Sequence, residues 1–86
     1  MLARMVRARR VWLLYEHDVE AGYPVDREYY GSLRDALKAL EEHVKTAEEH
    51  GWTCYWVEKT RVICKRCEEE TGECQTRELG VDETYV

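Results

Sequence analysis

The residues best equipped for chemistry are four cysteines, Cys54, Cys64, Cys67 and Cys74, all in the second half of the chain. Three fates are open to them: cross-linking, metal binding, or packing as small apolar side chains. Cys64 and Cys67 are spaced C-x2-C, which lets two thiolates face one ion and makes half of a tetrahedral zinc site. Cys54 and Cys74 stand singly, so the other half lacks a second C-x2-C. The disulfide reading comes from strand register. With Glu58-Lys59-Thr60 as a three-residue turn, Val57 opposes Arg61, Trp56 opposes Val62 and Cys54 opposes Cys64. With Glu68 to Glu73 as the next loop, Cys67 opposes Cys74. Directly opposed Cβ atoms lie about 4.5–5.5 Å apart, near the reach of a disulfide. The four cysteines are therefore expected as disulfides or as metal ligands. Zinc is the one cofactor the sequence leaves open. A thioredoxin-like role for Cys64-x2-Cys67 is disfavoured, because the following Glu68, Glu69 and Glu70 raise thiol pKa values and no helix opens there.

The remaining polar residues form no catalytic signature. His17 adjoins Asp18, but no Ser or Cys stands at a recognisable spacing from the pair. His43 and His50 are seven residues apart on one helix, a rise of about 10.5 Å, too far for one ion. The five glycines are scattered, so there is no phosphate-cradling loop. Glu68-Glu69-Glu70 with Glu73 reads as a solvated turn that discourages edge-to-edge aggregation. No residue is assigned a catalytic role.

The elements that position these residues follow from hydrophobic period. Arg10 to His17 reads as a strand with Val11, Leu13 and Tyr15 on one face and Trp12 and Leu14 on the other, apolar on both sides and therefore central. Asp18 to Val25 is a loop and Asp26 to Gly31 a second strand. Ser32 is a helix N-cap, and Leu33, Ala36, Leu37, Leu40, Val44 and Ala47 form one stripe at helical spacing. Gly51 is a left-handed terminator, so the helix is expected over 33–50, with Leu37 and Leu40 in the core. Trp52 to Val57, Arg61 to Arg66 and Cys74 to Val81 are three further strands, and a loose tail is expected over 82–86. The expected fold is α+β: a mostly antiparallel sheet of four or five strands in ββαβββ order, with one amphipathic helix packed on one face.

A chain of 86 residues has room for one domain. So small a domain is marginal without reinforcement, and a disulfide supplies roughly 2–4 kcal/mol. Residues 1–10 hold Arg4, Arg7, Arg9 and Arg10 and no acid, a charge of +4; with the whole chain at −5, the remainder carries −9. A basic arm thus precedes an acidic body. No apolar run is long enough to span a membrane, and the protein is expected to be soluble and intracellular. Disulfides are rare in mesophilic cytosol but persist in hyperthermophiles. The absence of Asn, a single Gln and abundant Glu and Arg lean toward the latter.

Nine aromatics, all Trp or Tyr, carry the binding argument. Trp12, Tyr29, Tyr30, Trp52, Tyr55 and Trp56 fall on strands with aromatics on both faces, and one helix covers only one face. These six are expected to form an interaction face for a protein partner or a second copy. The alternative is a zinc-clipped nucleic-acid-binding domain using Arg4, Arg7, Arg9, Arg10, Lys65 and Arg66; the acidic body disfavours it, because phosphate contacts supply most such affinity. The order of strand, long loop, Tyr29-Tyr30-Gly31-Ser32 with Ala36, amphipathic helix and Trp/Tyr strand, over roughly residues 11–57, resembles small accessory proteins of phages and archaeal viruses. That resemblance implies a binding protein, often one that blocks a host factor, without chemistry of its own.

Overall fold

The computed structural model describes residues 8–22 and 24–86. Arg4 and Arg7 lie outside the described residues. The chain runs β1 (Arg10–Asp18), β2 (Pro24–Tyr30), α1 (Leu33–Glu49), β3 (Thr53–Glu58), β4 (Arg61–Cys67) and β5 (Cys74–Tyr85). The five strands form one antiparallel sheet in the order β2-β1-β5-β4-β3, with α1 on one face, an α+β fold. The hairpins β1–β2 and β3–β4 are local, and β5 returns between them as the central strand.

Both helix ends follow from the sequence. The Ser32 hydroxyl accepts the Asp35 N–H at 3.1 Å, satisfying one of the orphan donors of the first turn. At the other end Gly51 adopts φ 89°. Its N–H donates to Glu48 O and that of Trp52 to Ala47 O, the paired bonds of a Schellman stop. This stop delivers Trp52, 8% exposed, into the core.

The core is a single layer between α1 and the sheet: Ala36, Ala39, Leu40 and Val44 of the helix on Leu14, Val62, Cys64, Leu79 and Val81. Leu40 is fully buried, as the stripe requires. Leu37 is only partly buried, because it lies at the margin facing β3. The expected loose tail is ordered instead. β5 continues to Tyr85, and Arg10 to Leu13 of β1 pair with Tyr85 to Asp82. Polar residues there occupy strand positions whose backbone bonds, not apolar side chains, hold the pairing.

Candidate functional site

All four cysteines are in disulfides. Cys54–Cys64 and Cys67–Cys74 each join directly opposed residues, with Cα–Cα distances of 4.0 and 3.9 Å. No described cysteine is left as a thiolate for zinc. The expected pairing is correct, but the expected turn is not. Glu58, not Val57, opposes Arg61, so the turn is the two-residue Lys59-Thr60; a bulge between Trp56 and Glu58 absorbs Val57 and restores the register at Cys54. The two disulfides occupy opposite faces of the sheet. Cys64 pairs with Arg77 on the helix side and is 1% exposed, whereas Cys67 and Cys74 are exposed on the other.

The six aromatics do not share a face. Strand registers place Trp12, Tyr30, Cys54 and Trp56 on the helix side with Leu14, Cys64 and Val62. Trp12 and Tyr30 pack on the core, and Trp52 is inside it. Tyr29 and Tyr55 alone of the six look away from the helix. They sit on β2 and β3, the two outermost strands, four inter-strand steps or roughly 19 Å apart. The middle of that open face is polar. Tyr15 O–H donates to Glu78 Oε2 at 3.0 Å, His17 Nε2 lies 3.5 Å from the same oxygen, and Arg61 reaches Glu78 Oε1 at 3.6 Å. His17 stacks on Tyr15, while Asp18 is taken by the N–H groups of Glu20 and Ala21. His17 and Asp18 therefore form no acid–base pair.

Large exposed apolar residues stand at both sheet edges, Val25 and Tyr29 on β2 and a consecutive run on β3. On β3, the consecutive residues Tyr55, Trp56 and Val57 are 58, 46 and 46% exposed. Among the described residues β3 pairs only with β4, and no strand covers its outer backbone edge. Beside it, Leu37, Glu41, Trp56, Glu58 and Lys59 line a groove of about 280 Å³ between helix and strand. The opposite edge, β2, is guarded by charge and proline: Asp26, Arg27 and Glu28 occupy its centre and Pro24 its start.

The described basic residues of the candidate set are dispersed. Arg9 and Arg10 lie where β1 meets the end of β5, and Arg66 opposes Gln75 near its start, ten residues or roughly 33 Å along the strand. Lys65 and Arg66 point to opposite faces. The Arg66 and Arg77 guanidiniums lie 4.6 and 4.9 Å from the centre of Trp52, an arrangement the sequence pattern did not reveal because Arg77 comes from β5. Arg77 is also held by Glu16 at 3.1 Å.

A second cluster was missed for the same reason. Asp26 and Glu28 share the helix-side face of β2, and His43 descends on them from α1; one ligand atom from each lies within 4.8 Å of the others. His50 is engaged separately, its Nδ1 2.7 Å from Thr46 O at the helix end. Comparison with protein-family models, curated proteins and solved structures finds no match, so no residue role is carried over from a relative.

Proposed function

We propose that this protein is a non-catalytic protein-interaction module that captures an extended segment of a partner protein along the outer edge of β3. The observation that carries this reading is the consecutive run Tyr55-Trp56-Val57, exposed on the outer strand β3 beside the Leu37–Trp56 groove. Added strands gain affinity from main-chain hydrogen bonds and specificity from pockets that take alternate side chains. Here one set of partner side chains enters the Leu37–Trp56 groove and the other lies along Tyr55. Apolar residues at alternate positions are the chemistry that fits. An accessory or inhibitory role follows naturally, because a captured strand is withheld from its own fold or assembly. The nucleic-acid alternative has weaker support, its described basic residues being spread over both ends and both faces of the sheet.

Persistent disulfides fit an oxidising compartment or a hyperthermophile cell. The amide-poor composition supports the second, and with it an intracellular location. Among the described residues no helix is long and apolar enough to cross a membrane.

The test is selection from a random-peptide display library against the folded protein. Enriched peptides are expected to carry apolar residues at every second position, to shift the backbone amides of Thr53–Glu58, and to bind at least tenfold more weakly to Trp56→Asp and Tyr55→Asp. Tyr29→Asp, on the other edge, is expected to bind normally. Peptides insensitive to both β3 variants would refute the proposal. So would concentration-dependent dimerisation through β3 without peptide binding, which would make the edge a self-association surface.

A further inference from the structure

We infer that Asp26, Glu28 and His43 form a binding site for a divalent transition-metal ion of the zinc type, at the seam between β2 and α1. The pairing of β2 with β1 sets Asp26 and Glu28 on the face that α1 covers, opposite Glu16 and Leu14. His43 projects from the middle of the helix onto the same spot. The three ligand atoms lie within 4.8 Å of one another. Ligands about 2.1 Å from one tetrahedral ion are about 3.4 Å apart, so closing the site takes side-chain shifts of up to about 1.4 Å.

Three further observations favour a cation. Glu28 Oε1 lies 3.6 Å from His43 Nε2, close to the roughly 3.4 Å spacing of two ligands on one tetrahedral ion. Tyr30, outside the ligand set, donates its O–H to Glu28 Oε2. That orients the carboxylate with its other oxygen toward the histidine, as outer-shell partners do in metal sites. Among the described residues neither Asp26 nor Glu28 has a lysine or arginine within ion-pair distance. An imidazole with two carboxylates suits zinc or manganese better than magnesium or calcium, which prefer all-oxygen sites. Three protein ligands leave a coordination position open to water.

With all four cysteines in disulfides, no thiolate competes for the metal. The experiment is calorimetric titration of oxidised, chelator-treated protein with zinc and, separately, with magnesium. Cobalt(II) absorption reports the ligand geometry. Zinc is expected to bind one to one, at least tenfold more tightly than magnesium. His43→Ala and Glu28→Gln are each expected to weaken it at least tenfold, and His50→Ala to leave it unchanged. Circular dichroism establishes that each variant is folded, and His43→Gln replaces His43→Ala should the latter not fold. Absence of zinc binding would reduce the cluster to an ion pair between His43 and Glu28. Zinc binding insensitive to His43→Ala, or matched by magnesium, would make it an unspecific acidic patch. Either result overturns the site.

Discussion

At the scale of single residues the disulfides differ in environment, and their chemistry should differ accordingly. Reduction requires a thiolate to reach a sulfur. Cys64 is 1% exposed beneath α1, whereas Cys67 and Cys74 are exposed near the β4–β5 turn. Graded reductant followed by alkylation should therefore open Cys67–Cys74 first. Intact mass should show two alkylated cysteines before four, and simultaneous opening of both would contradict the burial difference. A second residue-scale prediction concerns Gly80. It opposes Tyr15 across the β1–β5 pairing, and a Cβ there would collide with the Tyr15 ring and hydroxyl. The glycine makes room for an aromatic lying across the neighbouring strand, a device for pinning sheet register. Gly80→Ala should cost about 1–3 kcal/mol by overpacking, and much less in a Tyr15→Ala background; equal costs in both would sink the contact. The cysteine pairing was legible because strand period is rigid. The turn was not, since a bulge lets two turn lengths give one register. Tyr15 over Gly80 was not legible at all, because it joins residues 65 positions apart.

At the scale of elements, α1 was the most readable part of the chain. A cap, a stripe and a stop each had a sequence signal, and all three have their expected partners. The stripe is graded in depth. Leu40 is fully buried, but Leu37 borders the groove beside Trp56. Leu40→Ala should cost about 2–5 kcal/mol in chemical denaturation, and Leu37→Ala distinctly less. Equal losses would mean that α1 is rotated from the described orientation. The tyrosine at the end of β2 gives the element a pH signature. Its hydrogen bond to Glu28, helped by partial burial and the neighbouring acids, pushes the Tyr30 hydroxyl up to about 12 from 10.0. A raised folded-state pKa favours the protonated form in the fold. Its stabilising contribution is thus complete below about pH 10 and lost as pH rises toward 12. Tyr15, raised by burial and by Glu78, acts in the same direction. Tyr30→Phe should flatten the alkaline fall in stability measured between pH 9 and 12; an unchanged profile would remove Tyr30 as its source.

At the scale of the whole molecule, sheet order decides what the aromatics can do. Local hairpins were readable from alternation, but the position of β5 was not, because strand order depends on long-range pairing that periodicity does not encode. Placing β5 in the centre sends Tyr29 and Tyr55 to opposite margins and leaves Trp56 at the rim of α1. In place of the single aromatic face expected from the sequence, exposed apolar residues stand at both edges, as a consecutive run only on β3. The same centrality makes β5 the strand that ties the hairpins together: residues 74–80 pair with β4 and 77–85 with β1. Its last residues look expendable by composition, being polar and terminal. Yet Arg10 to Leu13 have their β5 partners there, and Val86 exchanges backbone hydrogen bonds with Arg9. Removing residues 82–86 strips several such bonds, each worth about 0.5–1.5 kcal/mol net, and partly uncovers β1 along its β5 side. In a domain of this size about 1 kcal/mol moves the melting temperature by roughly 4–8 °C. Truncation after Val81 should therefore lower the melting temperature by at least about 5 °C, with increased hydrogen exchange at Val11 to Leu13. The β3–β4 hairpin, whose β5 partners end at Gly80, should keep its protection. An unchanged melting temperature would show that the tail is dispensable and that the hairpins are held together by residues 74–81 alone.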